Sequence, residues 1–270
     1  MKTKMSDFRM LYSRVRFLSP GTLVLLAVMG VGYGFGLARM LTGLDPVTNL
    51  TDQYPWGIWI AIDVASGVAL AAGGFTVAAL VHIFGRRKFR TLERPALLTA
   101  WLGYVFVAIG LLFDLGRYYN IWHPLIYWQG NSVLFEVGMC VFFYLMVLTV
   151  EFAPTLLSGL EQHIKAEHWW VRSLRKVEVL LRTLQTLVRR MLPIFIIAGV
   201  VLSCMHQSSL GSLMLIAPTK MSPLWWTPIL PVLFLLSAIM VGFPVVIFES
   251  VAASYAFGRK LEMEVLTPLA

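Results

Sequence analysis

A chain of 270 residues that is 58% hydrophobic and only 13% charged, with a mean hydropathy of +0.76, cannot bury its apolar surface inside an ordinary water-soluble globule and reads as a polytopic membrane protein. Its net charge of +8 would suggest nucleic acid in a soluble protein. Here the basic residues fall between apolar stretches, so membrane topology accounts for them and no nucleic-acid partner is implied.

A span needs about 20 apolar residues. Six segments meet that rule, at 18–41, 56–84, 95–115, 131–157, 191–211 and 225–257, which predicts an all-α transmembrane bundle in a single integral membrane domain, 1–270. The basic stretch 1–17 leads into the first span without a small-residue cleavage site and reads as a retained anchor. Pro20, Pro55, Pro95, Pro154 and Pro193 mark segment ends. Pairs of small residues four apart, Gly30 with Gly34 and Gly67 with Ala71, allow close helix approach. Between the fourth and fifth spans, residues 158–190 carry Trp170, Leu174, Val177, Leu181, Leu184 and Val188 at steps of three and four, with Arg172, Arg175, Lys176 and Arg182 on the other face. This predicts an amphipathic helix along the inner leaflet, the alternative being an ordinary helical loop. The final segment, 258–270, is a tail rather than a span.

Charge then sets orientation. Of the 22 basic residues, 19 fall on one side, which the positive-inside bias makes the cytoplasm; Arg39, Arg117 and Lys220 are the exceptions. An even number of spans puts both termini inside.

Carboxylates at membrane depth cost at least about 2.5 kcal/mol each on the mildest insertion scale, so they are expected to face a bundle interior and handle protons, ions or a polar ligand. Glu136 heads a long apolar run, NSVLFEVGMCVFFYLMVLTV. Asp63 lies seven residues past Trp56, roughly 10 Å below the outer end of its span at about 1.5 Å per residue. Asp114 ends the third span on the same side, and His206 with Gln207 occupies the outer part of the fifth. Four helices thus deliver Asp63, Asp114, Glu136 and His206 to one outer band. Asp114 and Arg117, three apart, can also be read as a helix-end pair. A second polar band is expected near the inner face, from Glu151, Glu249 and His82, as a path for protons; interfacial solvation is the competing reading for each.

Two cysteines, Cys140 and Cys204, cannot hold an iron-sulfur cluster on four thiolates, so any cluster must sit in a partner. His82, His123, His163, His168 and His206 include no mid-membrane pair at matching depth, so no haem is expected, and no other metal site.

The motifs PWGIWIAIDV (55–64), RPALLTAWLGY (94–104), FDLGRYYN (113–120), NSVLFE (131–136), EFAPTL (151–156), MHQSSLGSLM (205–214) and IFES (247–250) resemble the NrfD or polysulfide-reductase membrane subunits, above all the HybB-type subunit of nickel-iron hydrogenases. The resemblance covers about residues 50–255. It implies a subunit of the bacterial inner membrane, without haem despite the "cytochrome b" label of some members. Such a subunit exchanges electrons between a quinone, menaquinone or ubiquinone, and a periplasmic ferredoxin-like iron-sulfur protein that serves the hydrogenase large and small subunits. It further implies a quinone site in a four-helix bundle toward the outer side, matched here at Asp63, Asp114, Arg117, Glu136, His206 and Gln207. Glu136, Asp63 and His206 are expected to act on the quinone oxygens, with protons arriving through Glu151, Glu249 and His82. Family members continue past the equivalent of Glu249 into a second bundle, of which this sequence holds only a part. A passive anchor and a proton or cation transporter are the rival readings.

Overall fold

The computed structural model describes the backbone of residues 19–51, 57, 61–166, 175–217, 222–258 and 260–270, and the side chains of these except 61, 63, 160–166 and 175–181. Among the described residues the chain is helical, without a strand, and six helices are long and apolar enough to cross a membrane. They are α1 (Pro20–Thr42), α2 (Val64–Ile83), α3 (Arg90–Asp114), α4 (Val133–Ala166), α5 (Arg175–Leu215) and α6 (Leu230–Phe257). A short helix, α7 (Met263–Leu266), follows. The helix ends are called outer and inner after the charge pattern.

The termini follow local chemistry. The Ser19 side chain accepts a hydrogen bond from the Thr22 amide at 3.2 Å and Pro20 opens α1, because the first amides of a helix lack intrahelical acceptors. Ser132 does the same for the Phe135 amide at the head of α4. At the far end of α6, Gly258 takes φ 61° in the left-handed region, and its amide donates to Ser254 O. Pro95, Pro154 and Pro193 lie inside helices rather than at their ends. Proline is tolerated within membrane helices because neighbouring groups can satisfy the carbonyl it frees. Pro55 lies outside the described residues.

Helix α2 is irregular. It opens with a π turn over Ala61–Ser66 and closes with another over Ala79–Ile83, each a local widening of the helix. Its middle passes very close to its neighbours: a Cβ on Gly74 would fall 2.5 Å from Ala100 Cβ, and one on Gly73 would fall 2.8 Å from Val246 Cγ2. In lipid, where apolar contact with tails is as good as apolar contact with protein, such small-residue approach supplies much of the association.

Helices α2, α3, α4 and α5 enclose a core of Val64, Val68, Ala100, Tyr104, Val107, Val141, Tyr144, Leu148 and Leu210. Helix α6 lies against α2 and α5, burying Ala238 with Ala72 and Phe75. The tail folds back: Leu266 of α7 is buried with Val77, Val81, Phe89, Leu92 and Val246 at the inner ends of α2, α3 and α6.

Helix α1 departs from the expected compact packing. Among the described residues, no neighbour lies within 4 Å of a Cβ placed on Gly30, Gly32 or Gly34, whereas one on Gly36 meets the ring of Phe113. The apolar residues of α1 stand exposed along its length. The segment 158–190 also differs from expectation. Its described parts are continuations of α4, to Ala166, and of α5, from Arg175, rather than a helix of its own. Trp170, Arg172 and Leu174 lie outside the described residues.

Candidate functional site

One stripe of α5 carries the most deeply buried polar groups. Ser203, His206, Gln207 and Leu210, at steps of three and four, are exposed by no more than 1% each. Polar side chains at such positions need partners, because an unmade hydrogen bond in a low-dielectric interior is costly. His206 Nδ1 shares a hydrogen bond of 2.7 Å with the Tyr104 hydroxyl of α3, and Gln207 Nε2 donates to Val68 O of α2 at 3.1 Å. Tyr104 in turn stacks edge-on against Tyr144 of α4, ring centroids 4.5 Å apart. A histidine, two tyrosines and a glutamine thus tie all four helices of the bundle together.

His206 Nε2 is buried with no hydrogen-bond partner. Whether it is donor or acceptor follows from the tautomer that Tyr104 selects at Nδ1. Either way it leaves one unused polar atom at the outer part of the bundle.

The other expected outer residues are placed differently. Glu136 stands in the first turn of α4, exposed rather than buried in hydrocarbon, because the helix begins at Val133; the amide-rich helix start favours an acid there. Its Oε1 accepts from Ser209 Oγ of α5 at 2.6 Å, so it still reaches toward the His206 helix. Asp114 ends α3 and is half-buried, and Arg117 is exposed in the turn beyond. Asp63 belongs to the π turn that opens α2, and its side chain lies outside the described residues.

Arg39, noted in the sequence only as a charge on the wrong side, is 4% exposed. Its Nε donates to Phe113 O at 2.8 Å, its Nη2 donates to Leu115 O, and its guanidinium lies 5.1 Å from the Tyr118 ring centroid. It closes the carbonyl end of α3, beside Asp114, and fastens the otherwise exposed α1 to the bundle.

The three inner residues do not share one place. His82 is exposed, and its Nε2 meets Glu93 Oε1 at 2.7 Å, an ion pair between the inner ends of α2 and α3 when the ring is protonated. Glu249 is half-buried and lines an open, mainly apolar cleft of about 440 Å³ with Thr99, Gly67, Gly103, Phe106 and Phe248. Glu151 is 8% exposed, which sets aside the solvated reading for it, and its Oε1 has no hydrogen-bond partner. Neither of the two cavities described for the chain, this cleft and a small void at Glu151, is lined by Asp114, Glu136 or His206.

Tyr104, Tyr144, Ser203, Ser209, Glu93 and Arg39 are the polar residues that sequence reasoning did not select. Ser203 and Ser209 could have been found by helical spacing from His206; the tyrosines carry no such mark in apolar sequence.

The family model described as "Polysulphide reductase, NrfD" matches residues 46–269. The chain belongs to the NrfD family. Among curated relatives, this NrfD chain is 39% identical over 217 residues, 78% of its own length and 50% of the relative's, to the "Probable Ni/Fe-hydrogenase 2 b-type cytochrome subunit" of Escherichia coli. It is 31% identical over 193 residues, 70% of its length and 42% of the relative's, to the "Menaquinone reductase, integral membrane subunit" of Nitratidesulfovibrio vulgaris. It is also 43% identical over 233 residues, 86% of its length and 55% of the relative's, to another protein of that organism. The chain therefore spans about half the length of the curated relatives it matches. No solved structure matches it.

The b-type cytochrome name of one relative invites a test for haem. Among the described residues His206 is the one histidine inside the bundle, while His82 is exposed against Glu93 and His123 packs on Trp122 and Tyr127 in the outer turn. Paired axial histidines are not among these described residues.

Proposed function

We propose that this NrfD-family chain is the quinone-reactive integral membrane subunit of a nickel-iron hydrogenase-type complex in the bacterial inner membrane, with both termini cytoplasmic. Its partners in this reading are a periplasmic ferredoxin-like iron-sulfur subunit and the hydrogenase large and small subunits. Hydrogen chemistry belongs to those partners. The quinone is an exchangeable substrate, and the chain itself carries neither haem nor cluster.

The observation that carries the reading is His206, wholly buried, oriented through Nδ1 by Tyr104, and left with Nε2 unpartnered. A quinone carbonyl oxygen is the complement of a donor at Nε2, and a quinol hydroxyl is the complement of an acceptor there. Glu136, Asp63, Asp114, Arg117 and Gln207 complete the outer site in this proposal, with Glu136, Asp63 and His206 acting on the quinone oxygens. Reducing one quinone takes two electrons from the outer partner and two protons. Inner-side supply is assigned to Glu151, Glu249 and His82, the last acting through Glu93. Turnover by that route moves charge across the membrane and is one way to couple electron transfer to proton translocation.

The test is hydrogen-dependent quinone reduction in membranes carrying His206→Gln or Glu136→Gln. Loss of reduction with the complex still assembled supports the reading. Unchanged reduction makes the chain a passive anchor, and cation uptake into vesicles without any redox partner makes it a transporter.

A further inference from the structure

Among the acids whose side chains are described, Glu151 is the one that is buried. It is 92% buried, since only 8% of the residue is exposed, and Oε1 finds no hydrogen-bond partner. Leaving such an atom unmatched carries a penalty large enough that an ordered water normally fills the gap. A gap is present. A small void of about 10 Å³ lies beside the carboxyl group, lined by Gly74, Tyr144, Leu148, Ile196, Gly199 and their neighbours. That is close to the smallest volume that admits a water molecule.

The void depends on one residue of α5. A Cβ on Gly199 would stand 2.6 Å from Glu151 Oε1 and 3.2 Å from Val147 Cγ1, so any side chain there would push the carboxyl group out of its seat. Tyr144, from the same helix as Glu151, lines the void. The remaining walls, Phe75, Leu148, Ile196 and Val200, are apolar. A cation would need several more oxygen ligands than these walls offer, whereas a water needs two to four polar contacts.

We propose that Glu151 and Tyr144 hold a single ordered water in this void, and that Gly199 is the positioning residue that keeps the site open. The water turns an isolated buried acid into a link in a chain. A proton arriving from the inner side neutralises the Glu151 carboxylate; in one concerted step the carboxyl group then gives its proton to the water, the water gives one to the Tyr144 oxygen, and the Tyr144 hydroxyl gives up its own to the next acceptor outward, so water and tyrosine end neutral and the carboxylate is restored. The water site stands on geometry alone; its use for proton supply rests on the quinone-linked reading.

Infrared difference spectra of the full chain in lipid vesicles, recorded on a pH step in ordinary and in oxygen-18 water, read the site directly. The expected result is an isotope-sensitive water band that is lost in Gly199→Ala, together with a carboxyl band that is lost in Glu151→Gln and shifted in Gly199→Ala. Tyr144→Phe adds no volume, so it serves if Gly199→Ala fails to fold, and it is expected to shift the same water band. An isotope-insensitive spectrum, or bands unmoved by Gly199→Ala and Tyr144→Phe, overturns the proposal. In the assembled complex, a dye trapped inside vesicles should report slower proton uptake in Gly199→Ala. A normal water band in a complex that never reduces quinone would leave the site standing and remove the quinone-linked reading instead.

Discussion

The hydroxyl of Tyr104 and Nδ1 of His206 lie 2.7 Å apart although 102 positions separate them in the chain. Removing the hydroxyl by Tyr104→Phe leaves both ring nitrogens of His206 without a protein partner in a fully buried place. The expected cost is about 1–3 kcal/mol, read as a lower melting temperature in detergent. Quinone reduction should fall further than the loss of folded protein explains, since the ring also loses its orienting contact.

Ser209→Ala removes the 2.6 Å donor to Glu136 Oε1. Glu136 is exposed, so the loss should be near the modest value of an ordinary hydrogen bond, about 1 kcal/mol. Glu136→Ala should cost a similar amount, and the double variant little more than either single one, because both remove the same contact. Thermal unfolding of the three variants measures this, and strict additivity would show that the pair does not interact.

Arg39→Ala should free α1 from the bundle while leaving α2–α5 folded. The guanidinium binds two carbonyls at the end of α3, Phe113 O and Leu115 O, and α1 makes few other contacts. Lysine offers a point charge in place of a planar fork, so Arg39→Lys should rescue only part of the effect. Cysteines placed at positions 36 and 113 should cross-link readily in the parent chain and poorly in Arg39→Ala.

Gly74→Leu forces atoms into a place where even a Cβ would stand 2.5 Å from Ala100 Cβ. Overpacking of this kind costs about 1–3 kcal/mol or more. The yield of folded protein after detergent extraction should drop sharply, whereas Gly32→Leu on the open face of α1 should leave it nearly unchanged.

Six spans, their order and the band of depth in which His206 and Gln207 fall were all legible from the residues, because burial in lipid is a property of a segment and needs no partner. Rise along a helix axis then converts residue number into depth. Position along the helix axis put Asp114 at the end of α3 and Glu136 near the start of α4, yet did not show that the Glu136 side chain is exposed, since that depends on how the helices are turned.

Which groups meet at a given depth is a question of rotation and crossing, and no single helix contains the answer. The sequence by itself determined a membrane bundle with acids and a histidine toward one end. Only the tertiary structure decided that Tyr104 orients His206, that Arg39 ties α1 to α3, that His82 turns to Glu93, and that Glu151 alone of the inner acids is enclosed. The reason is physical: hydropathy acts on each segment separately, whereas these pairings arise where glycines such as Gly74 and Gly199 let two helices come close enough for one side chain to reach across.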